Sequence, residues 1–173
     1  MNPTQSPTEL KNLTNLLTEE INELYDAERQ LLKVFPKMCA ASSSEELADA
    51  LAEHFEETRT HVDRLDEVGM TLGFPPGGRR CRAMEGLVAE IEEFLTAKGN
   101  GLVRDLAIIA AAQRVELYEL SAYGSAKALA GRLGLDQVVD VLAGTADEEA
   151  GADRNLTRIA EKLYPRAEVP VAG

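Results

Sequence analysis

Apolar residues recur along this sequence at intervals of three and four positions, which is the period of one face of an α-helix. Four long stretches carry such a stripe, and they predict helices over residues 10–38, 44–72, 102–130 and 135–163. No stretch of useful length alternates apolar and polar residues as a strand does. The pattern therefore predicts an all-α protein.

Capping signals place the first two helices. Ser6, Pro7 and Glu9 form a capping box that predicts the start of the first helix, and Pro36 is expected to kink its last turns. A second capping box at residues 43–46 predicts the start of the second helix. Because the connection between these two helices is short, they are expected to run antiparallel.

The segment between the second and third long helices is too long for a tight turn. It contains a Gly/Pro/Arg-rich loop over residues 73–82 and a predicted short helix over 83–98. Such a segment is long enough to cross the length of a bundle, which would leave the two flanking helices parallel. We predict a four-helix bundle with an up-down-down-up path. The alternative is a simple up-down bundle in which 83–98 is a fifth core helix.

Each long helix carries a glutamate within its apolar stripe: Glu28, Glu57, Glu116 and Glu149. These positions fall near the middle of helices of similar length, so in a bundle they would lie at one level. A buried carboxylate costs several kcal/mol, on the order of the buried-ion penalty, unless a cation or a proton meets it. Four converging carboxylates therefore require positive charge between them, or several must be protonated.

Two histidines support the metal alternative. His54 and His61 lie three residues before and four residues after Glu57, on the same helix face. Carboxylates with imidazoles in a bundle core are the ligand set of di-iron and di-manganese proteins. We predict two iron or manganese ions per chain, with Glu57 bridging them opposite Glu149. The candidate ligands are Glu28, His54, Glu57, His61, Glu116, Glu119, Glu149 and Asp153.

Each candidate ligand also has a structural interpretation. Three of the glutamates would then lie at the edge of their stripes, solvated or paired with arginines: Glu28 with Arg29, Glu116 with Arg114 and Glu149 with Arg154. His54 would be a core histidine bonded to a carboxylate, and His61 either such a histidine or an exposed one. Glu119 and Asp153 would contact other ligands rather than a metal, or form salt bridges between helices.

Length, net charge and hydropathy limit the number of domains, the partners and the location of the protein. The 173 residues suit one domain, which we place at residues 9–165, between a flexible N-terminus at 1–8 and a loose C-terminal tail at 166–173. The formal net charge of −12 argues against nucleic acid or an anionic membrane surface as partner. No apolar run approaches the ~20 residues of a membrane span, and the N-terminus lacks a signal-peptide core. We predict a cytoplasmic protein.

The two cysteines do not form a metal-binding pair. Cys39 and Cys81 are far apart in sequence, and a disulfide between them is disfavoured in the cytoplasm. Cys81 lies among Arg79, Arg80 and Arg82, a segment expected to be a solvated loop, with a reactive thiol as the alternative.

Several segments together resemble the YciF-like family of ferritin-like proteins. They lie at residues 24–32, 35–38, 54–58, 64–65, 81–87, 113–119, 122–124 and 148–153. The resemblance covers roughly residues 12–165 and implies a ferritin-like four-helix bundle that is usually dimeric, is associated with the bacterial stress response and has no settled activity. The family usually has histidine where this chain has Leu117, so a metal ligand at that position would be lost here.

A homodimer is also predicted from small residues. Small outward side chains on the last two long helices would let a second copy approach closely. The residues concerned are Ala107, Ala110, Ala111, Ala126, Ala130, Ala146 and Ala150.

Two functions of different classes remain open from the sequence. The first is an oxidative activity of a di-metal site, ferroxidase-like or catalase-like. The second is a non-catalytic stress protein whose polar cluster is structural. Iron storage in a large shell is a third, weaker alternative, because nothing in the sequence specifies such an assembly. Whether the protein is an enzyme is therefore left open.

Overall fold

The computed structural model describes residues 10–167, which form five α-helices and one 3₁₀ turn and include no β-strand. The helices are α1 (Leu13–Ala41), α2 (Glu45–Thr71), α3 (Arg82–Leu95), α4 (Gly101–Arg132) and α5 (Asp136–Leu163), followed by the turn Tyr164–Arg166. The all-α prediction is confirmed. The predicted flexible residues 1–8 and most of the predicted tail lie outside the described range.

Helix α1 starts later than predicted. Asn12 caps it, and the Asn12 side chain accepts a hydrogen bond from the backbone N–H of Asn15 at 2.9 Å. Residues 10 and 11 are not helical, so the predicted start at residue 10 is wrong. At the start of a helix, an asparagine side chain accepts a hydrogen bond from a free backbone N–H group as well as a serine side chain does. The predicted capping box at residues 6–9 lies outside the described residues.

The far end of α1 also differs from the prediction. The helix continues through Pro36 and ends at Ala41, three residues beyond the predicted end. Ser42 closes it, because both its backbone N–H and its hydroxyl donate to the carbonyl oxygen of Met38. Residues 42–44 then lead directly into α2.

A buried aspartate fixes the path of the chain. The Asp105 carboxylate, near the start of α4, accepts hydrogen bonds from the backbone N–H groups of Ser43 and Ser44 at 2.9 and 2.8 Å. The first turns of α2 and α4 therefore lie side by side, and the two helices run parallel. This direction agrees with the predicted up-down-down-up path, in which α2 and α4 are joined by a crossover.

The crossover helix α3 packs against α1 and α4. Cys81 caps it, with its Sγ accepting from the backbone N–H of Met84 at 3.4 Å. The backbone N–H of Cys81 donates to Asp26 and its carbonyl oxygen accepts from Gln30. Cys81 is buried, so the prediction of a solvated loop is wrong at this residue. Its side chain contacts the Tyr118 hydroxyl at 3.0 Å.

Within residues 10–167, the core consists of two apolar clusters, one toward each end of the bundle. The first cluster includes Leu31, Phe35, Leu51, Val115 and Ile159, and the second includes Leu17, Leu24, Leu65, Ala126 and Leu142. The sequence positions between them on α1, α2, α4 and α5 hold the buried polar residues described below. The apolar stripes therefore stabilise the bundle on both sides of a polar middle layer.

Three of the seven alanines predicted to face outward do not. Ala111, Ala126 and Ala130 are buried in the protein's own core. Helix α4 packs against α1, α3 and α5, which leaves it only a narrow outward face. Ala107, Ala110, Ala146 and Ala150 are half-buried.

Candidate metal centre

Two groups of potential metal ligands meet at the middle of the bundle. One contains Glu28, His61 and Glu149, and the other contains His54, Glu116 and Glu149. Within each group, one nitrogen or oxygen atom from each residue lies within 4.8 Å of the others. Glu149 belongs to both groups, so the two positions share one carboxylate.

The distances within the groups resemble those between neighbouring ligands of one ion. His61 Nδ1 lies 2.9 Å from Glu149 Oε1 and 3.5 Å from Glu28 Oε1. His54 Nε2 lies 3.2 Å from Glu149 Oε2 and 3.3 Å from Glu116 Oε2. Ligand atoms bonded at ~2.1 Å to one ion, at right angles to one another, lie ~3 Å apart.

The ligand atoms that face one another lack hydrogen bonds. Among the described residues, the buried atoms without a partner include Glu28 Oε2, His54 Nε2, His61 Nδ1, Glu116 Oε2, both carboxylate oxygens of Glu119 and both of Glu149. Each such group left unpaired costs ~1–3 kcal/mol, and more when charged. Two divalent cations fit this donor set, because carboxylate oxygen and imidazole nitrogen suit iron and manganese.

Each histidine is held from behind by a second carboxylate. His54 Nδ1 lies 2.9 Å from Glu57 Oε2, and His61 Nε2 lies 2.8 Å from Glu148 Oε2. The nitrogen on the other side of each ring faces the buried glutamates. Carboxylate–histidine pairs of this kind orient metal-ligating imidazoles and raise their basicity.

Glu57 does not occupy the position predicted for it. Its side chain is 40% exposed and lies outside both ligand groups, where it contacts His54. The buried position between the two histidines on α2 belongs to Thr58. The central place predicted for Glu57 falls to Glu149, which is fully buried.

Glu148 was not among the predicted site residues. Besides His61, its carboxylate pairs with Arg64, whose two terminal nitrogens lie 2.5 and 3.0 Å from its oxygens. Arg64 also donates to the Thr145 hydroxyl at 3.1 Å. The sequence signal for this role was the pair of adjacent glutamates on α5 opposite an arginine one turn beyond His61.

Glu119 lies in the polar layer without a partner of its own. It is completely buried, and neither of its oxygens is hydrogen-bonded within residues 10–167. Burial raises the pKa of its carboxyl well above the usual range, and the nearby Glu28, Glu149 and Glu116 raise it further.

Asp153 lies apart from both ligand groups. Its carboxylate accepts a hydrogen bond from Gln113 Nε2 at 3.0 Å, and the same nitrogen donates to the Thr157 hydroxyl at 2.8 Å. Asp153 therefore links α5 to α4 at the edge of the polar layer. The Tyr123 hydroxyl donates to Glu28 Oε1 at 2.5 Å, inside that layer.

The buried carboxyl and imidazole groups have pKa values that are shifted in different directions. Burial raises the pKa of Glu28, and raises that of Glu116 to about 8 against the opposing effect of His54. Burial also disfavours ionised Glu149, but the two histidines outweigh it and hold its pKa well below the usual range. The histidine pKa values are raised, that of His61 to about 10, because the surrounding carboxylates outweigh the opposing effect of burial.

Leu117 does not remove a ligand from this centre. Its side chain is 59% exposed and lies on the outer face of α4, whereas its neighbour Glu116 is buried. A histidine at position 117 would lie on the same outer face. The sequence-based concern that a core ligand is lost here is therefore wrong.

The fold and the polar layer together define a ferritin-like helical bundle. Comparison with solved structures agrees: a two-domain protein from Anabaena variabilis with DJ-1/ThiJ/PfpI-like and ferritin-like domains aligns with a TM-score of 0.58 and 11% identity. The alignment covers 92% of this chain and 41% of that one, and it bears on the fold alone.

The chain belongs to the family described as a domain of unknown function, DUF892, whose sequence model matches residues 12–168. It is 36% identical over 152 residues to protein YciF of Escherichia coli K12, covering 87% of this chain and 92% of YciF. The crystal structure of the E. coli stress protein YciF aligns with a TM-score of 0.88 and 34% identity, covering 91% of this chain and all of that one. YcfI from Rhodopseudomonas palustris aligns with a TM-score of 0.84 and 35% identity, covering 88% and 98%. The predicted resemblance to YciF-like proteins is confirmed.

Within residues 10–167, no helix has both the length and the apolar character needed to cross a membrane.

Proposed function

We propose that the polar layer of this ferritin-like protein holds two divalent transition-metal ions, iron or manganese. The observation that carries this proposal is the convergence of buried ligand atoms from four helices, without hydrogen-bond partners among the described residues, on one level of the core. In an apolar bundle such atoms stay buried only if a cation or protons compensate them.

The residues divide into ligands and residues that orient ligands. Glu28 and His61 would hold one ion, and His54 and Glu116 the other, with Glu149 between them. Glu119 offers a further carboxylate in the same layer. Glu57 and Glu148 act as positioning residues, because each bonds the outer nitrogen of one histidine.

The proposed activity is oxidative. Bound iron or manganese would supply one-electron redox chemistry toward dioxygen or peroxide. The chain's own contribution is to bury the site, to keep both imidazoles oriented inward, and to place the Tyr123 hydroxyl against Glu28. Ferroxidase-like or catalase-like turnover is the expected consequence.

A specific observation favours a second candidate, a non-catalytic protein with a proton-bound cluster. The pKa values of both histidines are raised and that of Glu116 is about 8, so the metal-free cluster can balance its charge with protons. In that case the polar layer serves structure alone.

Metal analysis separates the two candidates. Protein purified without chelators, or reconstituted under anaerobic conditions, should contain about two equivalents of iron or manganese. Glu149→Gln should lose metal at both positions, whereas Glu161→Gln, at an exposed position on the same helix, should retain it. Absence of metal after reconstitution of the unaltered chain would leave the structural candidate.

We also propose a cytoplasmic homodimer that acts in a stress response, as the description of E. coli YciF as a stress protein suggests. Val103 and Leu117, both on α4, are apolar residues that are 52% and 59% exposed. Half-buried Ala107 and Ala110 lie between them in sequence. This face of α4 would allow a second copy to approach closely.

A further inference from the structure

A cleft leads from solvent to one half of the polar layer. It lies between α2 and α5, has a volume of about 230 Å³, and is lined by His54, Glu57, Glu116 and Ala152, among others. His54 and Glu116 are more than nine-tenths buried, and His54 Nε2 and Glu116 Oε2 have no hydrogen-bond partner among the described residues. The cleft therefore ends on ligand atoms that lack hydrogen bonds.

The mouth of this cleft is acidic. A shallow cleft of about 390 Å³ shares Ala50, Glu53 and Asn155 with it and is also lined by Asp49. Arg158, the one cationic side chain among the described residues that line this shallow cleft, is paired with Glu46. A groove lined by negative charge raises the local concentration of cations and their rate of association.

The ligand group of Glu28 and His61 is separated from solvent by side-chain contacts. Glu28 and His61 are fully buried and do not line the cleft. The Tyr123 hydroxyl is bonded to Glu28, and the Glu148–Arg64 pair lies behind His61. An ion at this position would leave either past the position at His54 and Glu116, with which it shares Glu149, or after these contacts opened.

We propose that the α2–α5 cleft is the route by which divalent cations reach the centre, and that its two positions differ in exchange. The position at His54 and Glu116 exchanges ions with solvent through the cleft. The position at Glu28 and His61 retains its ion. This inference rests on the proposed metal function and specifies how that centre is loaded.

The route is tested by the kinetics of metal loading and release. Apo-protein is mixed with Mn²⁺, and bound metal is measured over time by element analysis after rapid desalting. Release is followed after addition of excess chelator. The unaltered protein should release one equivalent quickly and the second at least about tenfold more slowly, because the second ion must pass the first position or wait for a local opening of the core.

Two variants probe the cleft, each with a matched control. Ala152→Leu enlarges a half-buried residue that lines the cleft, and Ala52→Leu makes the same change at an exposed position on α2 outside it. The double variant D49N/E53Q removes two exposed charges at the mouth. The double variant D63N/E67Q removes two exposed charges from the same helix nearer its other end.

Ala152→Leu should slow loading and the fast release phase without changing the final two equivalents. D49N/E53Q should slow loading about threefold or more at low ionic strength, with the difference shrinking at high salt. Both controls should behave like the unaltered protein. Circular dichroism establishes whether each variant is folded. If Ala152→Leu does not fold, D49N/E53Q at the mouth of the cleft still provides the test.

The outcomes separate this inference from the proposed function. Two bound equivalents that leave in one phase, or that load at the same rate in all variants, would overturn the cleft as the route while the metal centre stands. Failure of the unaltered protein to bind metal at equilibrium would overturn both.

Discussion

His61 Nε2 lies 2.8 Å from Glu148 Oε2, on the side of the ring that faces away from the buried carboxylates. The opposite nitrogen lies 2.9 Å from Glu149 Oε1. One imidazole therefore joins two adjacent glutamates of α5, the first partly exposed and paired with Arg64, the second buried. This pair directs the ring toward the centre of the bundle.

Glu148→Gln should weaken metal binding without removing a ligand. Loss of the charged partner lowers the basicity of His61, and changes of this kind cost 10–100-fold in metal affinity. We expect one of two equivalents to bind about tenfold more weakly, as measured by competition with a chelator of known affinity. Glu161→Gln is the control on the same helix. Unchanged affinity at both positions would contradict the orienting role of Glu148.

Glu119→Leu should stabilise the metal-free protein. Glu119 is buried and its oxygens are unpaired within the described part of the chain, so an apolar side chain removes a desolvation penalty of ~1–3 kcal/mol. Asp153→Leu is the matched control. It removes the carboxylate to which Gln113 donates a hydrogen bond, so it should not stabilise the protein. Urea unfolding in the presence of chelator measures both effects. A less stable Glu119→Leu protein would show that this carboxyl has a stabilising partner.

The stability of the metal-free protein should fall as pH rises above neutral. The folded-state pKa of His61 is about 10 against an ordinary 6.5, and that of Glu116 is about 8 against 4.5. Raised folded-state pKa values give stability that is complete below the ordinary values and is lost as pH rises through the folded ones. Urea unfolding should therefore show a free energy of unfolding that declines between pH 6.5 and 9.

The slope is expected to be on the order of 1 kcal/mol per pH unit. Glu116→Gln should make the decline of the free energy of unfolding with pH less steep, because the amide does not titrate. The stabilisation added by metal should increase as pH rises, since metal competes with protons for the same ligands. A free energy that is constant or rises between pH 6.5 and 9 would be inconsistent with these pKa shifts.

Leu117→Glu should disrupt the proposed homodimer. A charge at this 59% exposed apolar position would be placed within the contact on α4. Sedimentation should show dimers for the unaltered protein and monomers for the variant at micromolar concentration. Met70→Glu serves as the control, because Met70 is an exposed apolar residue at the end of α2. Dimers in both variants would place the interface elsewhere.

The fold followed from the sequence because its signals are local and repeated. Apolar residues at three-and-four spacing predicted the four long helices, and Glu28, predicted to lie within the stripe of the first one, is buried in α1. The length of the crossover segment settled the parallel direction of α2 and α4. Which residue caps each helix was less predictable, since Ser43 and Ser44 are both suitable and Ser44 is the cap.

The candidate site was only partly predictable, and α2 shows why. Residues 57 and 58 both lie three or four positions from His54 and from His61, so spacing alone cannot decide which of them faces the core. Packing places Thr58 inside and Glu57 at the edge. Glu148 was missed for a related reason, because its role depends on where α2 brings His61 and Arg64 against α5.

Anomalous diffraction from crystals grown with Mn²⁺ tests the central claim most directly. Two anomalous peaks per chain are expected in the polar layer, one bordered by Glu28 and His61, the other by His54 and Glu116, with Glu149 between them. Crystals of Glu149→Gln grown in the same way should show neither peak at full strength. Unaltered protein with no peak in this layer, or with ordered Mn²⁺ only at surface carboxylates, would contradict the assignment of the cluster as a metal centre.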